Sequence, residues 1–230
     1  GKVSGNVLLR RRQYRQADNP EASLQLAKSF VIGKLFNCKC VLQRFMRDHE
    51  GKKGVDSVQD AVRTITILLQ KAAGCFQSDR LLGVEGEAAR AYYGAFDHLI
   101  LESKDVFKFS GRSRRPPLDP VNALLSFLYT LLSHDCTAAL ETVGLDPQVG
   151  FMHRERPGRP SLALDMMEEL RPYLVDRLTL SLINNRQVEA GGFITKESGG
   201  VLMTDDMRKN IIGAWQKRKQ EEVTHPFLGE

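Results

Sequence analysis

Cysteine is scarce in this 230-residue chain and poorly placed for chemistry. Its four cysteines, Cys38, Cys40, Cys75 and Cys136, make neither a zinc-ligand spacing nor a disulfide framework. A zinc module and a disulfide-stapled secreted fold are both disfavoured, and reduced thiols are expected. Cys38 and Cys40 fall in an apolar helical run and are expected in the core. The chain also lacks a signal peptide and any run that reads as a bilayer span, so a soluble, cytoplasmic protein without membrane contact is expected. Internal repeats and low-complexity tracts are missing too.

What is present is an ordinary globular composition. Hydrophobic residues make up 42%, enough for a sizeable core. The 33 basic and 28 acidic residues give a net charge of +5. A mildly basic balance is compatible with nucleic acid without requiring it. The bases cluster at Arg10–Arg12, at Arg112 with Arg114 and Arg115, at Arg154, Arg156 and Arg159, and at Lys217–Lys219. Each cluster taken alone reads equally well as a solvated surface.

Apolar periodicity predicts a mainly α fold. Val3–Leu9 alternates like a strand but finds no obvious sheet partner. Asn19-Pro20 opens a helix to about Asp48, and a second helix runs from about Val55 to Ala73. A third begins near Leu81. Asp119-Pro120 starts a strongly apolar helix to about Val143, with Asn122 near its start either capping or facing a site. The segment 190–203 reads as a β-hairpin turning at Ser198-Gly-Gly200, and Thr204 caps a last helix. Pro172 kinks or divides the helix before that hairpin.

The chain is organised around Gly144–Arg171. Here a Gly/Pro-punctuated, Arg-rich loop carries His153 and runs into a helix expected to be capped by Ser161. Asp165 and Glu168 are three apart and share a face of that helix. An imidazole with two carboxylates suits a divalent metal, and the neighbouring arginines suit a polyanion. The same acids would also favour the dipole of a helix start without any function. Glu85 is the oddity of the third helix. It lies three, four, seven, eight and eleven residues before Ala88, Ala89, Tyr92, Tyr93 and Phe96, and so projects from the apolar stripe. A carboxylate there needs a cation, either a metal or an arginine. Glu87 falls on the polar side, three residues before Arg90.

Three segments together resemble one family. They are Gly83-Val-Glu85-Gly with Ala88-Ala-Arg90 and Tyr92-Tyr93; Asp119-Pro-Val-Asn122-Ala-Leu-Leu-Ser-Phe127; and Gly144-Leu-Asp-Pro147 leading to Gly150-Phe-Met-His153 and Ser161-Leu-Ala-Leu-Asp165-Met-Met-Glu168. The family is the CRISPR-associated integrase of spacer acquisition. Gly5–Arg15 resembles the junction between its two domains. The resemblance implies an all-helical catalytic domain at residues 16–230, preceded at residues 1–15 by the remnant of an N-terminal β domain. It also implies truncation at both ends, the latter just after His225-Pro-Phe227.

The function implied is a metal-dependent DNA endonuclease and integrase that inserts protospacer DNA into a CRISPR repeat array by 3′-hydroxyl transesterification. Carried over residue by residue, Glu85, His153 and Glu168 become ligands of Mg²⁺ or Mn²⁺, with Asp165 a further catalytic-site carboxylate beside them that contributes to the metal site or to DNA strand positioning. Glu168 stands where the family commonly has Asp, one methylene longer. Arg112, Arg114, Arg115, Arg154, Arg156 and Arg159 are the expected DNA contacts. The implied partners are DNA, a second copy in a homodimer, and a small companion protein bridging two dimers. Two other readings stay open. One is a helical DNA-binding scaffold with an inactive site. The other is an HD-type phosphohydrolase built on His134-Asp135 with His98 and Asp165, although capping at a helix flank would also explain Asp135.

Overall fold

The computed structural model describes residues 6–51 and 54–222. Eight α-helices carry the fold among these: α1 (Val7–Ala17), α2 (Pro20–Asp48), α3 (Val55–Ala73), α4 (Ser78–Ala95), α5 (Pro120–Val143), α6 (Ser161–Leu170), α7 (Arg177–Asn184) and α8 (Asp205–Arg218). Strands β1 (Phe193–Thr195) and β2 (Val201–Met203) form one antiparallel hairpin, with Phe193 opposite Met203. The mainly α reading and the small hairpin both hold.

Local chemistry sets the helix starts. The Asn19 side chain accepts from the amides of Glu21 and Ala22, and Pro20 supplies a pre-set φ at the first position of α2. Asp119 accepts from Asn122 N at 2.7 Å to start α5, and Gly144 ends that helix at φ 87°, where glycine is strain-free. Thr204 caps α8 through Met207 N. α2 packs on α3, α4 and α6, and α5 packs on α6. Leu35, Leu42, Ile65, Leu68, Leu124 and Leu125 are fully buried between them.

Several expectations change. Val7–Leu9 belong to α1 rather than to a strand, because Asn6 accepts from the amides of Leu8 and Leu9 and caps a helix there. The proposed boundary between residues 15 and 16 falls inside that helix. Val3–Gly5 and His225–Phe227 lie outside the described residues. Cys38 is buried, but Cys40 is exposed: two helical steps turn a side chain to the far side. α4 starts at Ser78, before the expected Leu81. α5 is long and apolar enough, by length and composition, to cross a membrane, contrary to the expectation that no run is. It serves here as a core helix, burying Val121, Leu125, Leu128 and Leu132.

Ser161 does not cap α6. It is the helix's first residue, and its hydroxyl donates to Arg154 O at 3.3 Å. The free amides of Leu162 and Ala163 are met instead by Pro147 O, which ties the preceding loop to the helix start. Past Leu170 the chain widens into one π-helical segment, Arg171–Asp176, containing Pro172, before resuming as α7. Wide turns of this kind recur at functional sites.

Candidate active site

The loop carrying His153 is held from three directions. From α1, the buried Gln13 donates to the carbonyls of Asp146 and Val149, both at 2.8 Å, and accepts from Asp146 N at 2.9 Å. Tyr14 adds a bond to the Asp146 carboxylate. From α2, Ser23 donates to Phe151 O at 3.0 Å. From α6, the fully buried Asp165 accepts the amides of Phe151, Met152 and His153 at 2.6, 3.0 and 2.9 Å. Gly150 makes this approach possible, since a Cβ there would stand 2.8 Å from both Asp165 Oδ2 and the Ser161 carbonyl carbon.

Asp165 also takes His153 Nδ1 at 2.7 Å. This carboxylate places the Nδ1 proton between ring and acid, leaving Nε2 as the free imidazole nitrogen. Nε2 faces Glu168 Oε1 across 3.9 Å. Asp165 is therefore a positioning residue whose oxygens are occupied by its own loop.

Glu168 is almost completely buried, one helical turn beyond Asp165. Burial works against its charge, but Arg171 and Lys34 outweigh that and hold its carboxyl down at about 2. Arg171 Nη1 donates to Oε1. Oε2 is ion-paired with Lys34 Nζ at 2.5 Å. Lys34 donates to Glu85 Oε1 on its other side. Its own burial opposes the ammonium, yet Glu168 and Glu85 raise its pKa above the ordinary value.

Glu85, His153 and Glu168 therefore line one cavity of about 840 Å³. Glu85 meets Glu168 through an ammonium rather than across an open gap, and its cation is Lys34 rather than an arginine. Among the described residues, no three His, Cys, Asp or Glu side chains form a ready metal-binding group as they are arranged. Glu87 is exposed, as its helical phase requires.

The expected DNA-contact arginines fall into three placements. Arg114, Arg115, Arg156 and Arg159 line the same cavity. Arg154 points outward, its side chain 84% exposed and 3.7 Å from Asp79. Arg112 is not an exposed contact. Its guanidinium donates to Asn122 Oδ1 at 2.6 Å and Ser126 Oγ at 3.0 Å and lies over the Tyr129 ring. Asn122, wholly buried, also accepts from Ser113 N and donates to Gly111 O. It fastens the basic loop to α5 and takes no place in the cavity lined by Glu85, His153 and Glu168.

The HD constellation does not assemble. Asp135 lies inside α5, not at its flank, and accepts from Trp215 Nε1 at 2.8 Å and pairs with Lys219 at 2.9 Å. His98 abuts Gly54, and Asp165 is committed to the His153 loop. Two side chains of this cavity were not anticipated, Lys34 and Arg171. Lys34 follows Ala27 and Val31 by seven and three residues and precedes Cys38 by four, so it sits on the buried stripe of α2. Arg171 is three residues past Glu168, the ordinary spacing of a helical ion pair.

Comparison with known proteins agrees with this geometry. Residues 1–217 match the family described as CRISPR associated protein Cas1. The chain belongs to that family. It is 55% identical over 238 residues to CRISPR-associated endonuclease Cas1 2 of Rhodospirillum rubrum, covering 100% of this chain and 67% of that protein. Among solved structures it resembles a casposase bound to integration product, with a TM-score of 0.81 and 28% identity, over 97% of this chain and 60% of the other. It also resembles a chain of a partial Cas6-RT-Cas1–Cas2 complex, with a TM-score of 0.79 and 28% identity, over 90% and 61%. The helical fold is thus that of Cas1 proteins, and the chain spans about two thirds of such relatives.

Proposed function

We propose that this chain is the catalytic part of a divalent-metal-dependent DNA endonuclease and integrase that joins protospacer DNA to a CRISPR repeat. The observation that carries the reading is His153, oriented by Asp165 so that Nε2 faces the buried Glu168 in a cavity lined by Glu85 and five arginines. The donor set fits Mg²⁺ or Mn²⁺. It offers hard carboxylate oxygens and one imidazole nitrogen, and the buried Glu168 Oε2 is already met by a cation, the Lys34 ammonium. Glu85, His153 and Glu168 would hold the ion. When bound, such an ion polarises a scissile phosphate, lowers the pKa of an attacking hydroxyl and stabilises charge on the leaving oxygen.

The protein's own groups do the remaining work. Asp165 fixes the imidazole tautomer and holds the loop backbone still. Arg171 fixes Glu168. Arg114, Arg115, Arg156 and Arg159 bind phosphodiester oxygens and set the strand's register in the cavity. In the reaction a protospacer 3′-oxygen bonds to a repeat phosphorus, and the bond from that phosphorus to the repeat's 3′-oxygen breaks. That oxygen leaves as a hydroxyl. Water in place of the attacking hydroxyl gives cleavage.

The relatives' names and the casposase complex support the activity, and the Cas6-RT-Cas1–Cas2 complex supports an assembly with partner proteins. A homodimer and a small companion bridging two dimers belong to the proposal. The division at residues 15 and 16 remains part of the proposal, with α1 then bracing the catalytic loop from the domain junction.

His153→Ala is the test. In a full-length protein containing this segment, it should abolish joining of a labelled protospacer to a repeat-bearing plasmid and leave DNA affinity within about twofold, because scattered basic residues dominate affinity. Added Mn²⁺ should restore part of the activity. Full-rate joining by the variant at limiting metal would defeat the proposal.

A further inference from the structure

Lys34 has a peculiar position for a residue that no step above uses. It stands on the apolar stripe of α2, its side chain 11% exposed, and its one ammonium meets both carboxylates assigned to the metal. Burying a lysine is costly unless it is paired, and here two carboxylates pair it. Counting formal charges, Glu85, Glu168, Lys34 and Arg171 sum to zero. A divalent ion added to that set would leave +2 in a largely buried place. With Lys34 withdrawn from the pair, the charge that remains is +1.

The geometry points to a competition: we propose that Lys34 is a built-in counter-cation for Glu85 and Glu168, and that a divalent metal and the Lys34 ammonium bind the pair in alternation. This rests on the metal reading given above. Arg171 does not share the role, since it engages Glu168 Oε1 and makes no ion pair with Glu85. Lys34 also lines the arginine-bearing cavity, so a displaced ammonium has a polar space to enter on the side where a phosphodiester would lie. Metal entry thereby releases a positive charge toward the DNA. Lys34 acts as a positioning residue that keeps two like-charged carboxylates adjacent and then yields them.

The consequence runs against the usual effect of a substitution inside a binding site. Lys34→Met, similar in length and able to lie on the apolar stripe, should bind Mn²⁺ more tightly than the wild type, by about tenfold or more, because the competing charge is gone. Titration calorimetry with Mn²⁺ alone on the full-length chain reads this without any turnover. A second measurement leaves Lys34 in place. Amine acylation of the wild-type chain, followed by peptide mass spectrometry, should find Lys34 more reactive with Mn²⁺ than with a chelator. Equal or weaker Mn²⁺ binding by the variant, or unchanged or reduced Lys34 labelling in the wild type, overturns the competition while leaving the metal reading standing. Failure of Mn²⁺ to bind either protein overturns both.

Discussion

A single buried carboxyl away from the cavity shows how residue-scale electrostatics fix the pH response. Asp176, in the π-helical turn, accepts from the Tyr129 hydroxyl and lies near Tyr92, Arg171 and Arg112. Burial dominates, and despite those partners its pKa stands at about 6 against an ordinary 3.8. Between those values the folded chain holds a proton that the unfolded chain has released. Stability therefore falls as pH rises through that window, and above it the carboxylate costs about 3 kcal/mol. Asp176→Asn removes the charge and keeps an oxygen for Tyr129. Thermal melts should show the variant more stable than wild type at pH 8 and equal to it at pH 4. A deficit at pH 8 would mean that Arg171 and Arg112 need the charge. Glu168 illustrates the reverse balance, where two cations outweigh burial. One of them, Arg171, stands at plus three, a spacing that made the pair legible although it was not anticipated. Lys34, 134 residues before Glu168, could be read only as a polar residue on an apolar stripe, with nothing to say which carboxylates it meets.

At the scale of elements, the loop carrying His153 depends on how closely it approaches α6. The helix starts of α2, α5 and α8 were legible because Asn, Asp and Thr caps act within three residues. The loop's own anchoring was not, since Gln13 and Pro147 act at a distance or through a backbone carbonyl. The misread strand has a different cause: the seven residues Val3–Leu9 are few enough to alternate by chance, whereas the start of α1 is decided by the hydrogen bonds to Asn6. Gly150 tests the loop directly. In Gly150→Ala the methyl would meet Asp165 and the Ser161 backbone, neither of which can retreat without losing the three amide bonds to Asp165. Stability should drop by about 1–3 kcal/mol. Strand joining should fall further than folded fraction alone explains, because His153 moves with the loop. Gly213→Ala is the control, exposed on α8 with open space around its Cβ position. It should be neutral or stabilise by up to about 1 kcal/mol. Equal joining activity per folded molecule in both variants would show that the loop tolerates movement.

For the molecule as a whole, the charge of +5 matters less than where its bases fall. Composition could say only that nucleic acid was compatible. The motif order pointed to the family, and the fold then sorted the arginines into different jobs. Arg112 is half-buried and bound to Asn122 and Ser126, so reversing its charge should damage folding rather than report on DNA. Burial already lowers its pKa, a further sign that the site is a poor host for an acid. Arg114, Arg115, Arg156 and Arg159 face one cavity and come from two loops that meet only in the folded chain. Arg114→Glu with Arg115→Glu, measured against Arg156→Glu with Arg159→Glu, should weaken binding of a short duplex to similar extents. Each pair should lower the steepness of log K against log salt by about two phosphate contacts, a slope change near 1.8. Melting temperatures should stay close to wild type, since these side chains hold no internal hydrogen bond that α5 or α6 needs. Arg154→Glu is the outlying comparison: its side chain leaves the cavity toward Asp79, and it should change the slope by less than either pair. If Arg154→Glu instead matched the cavity pairs, affinity would follow total charge, and the cavity would lose its claim to be the path of the DNA.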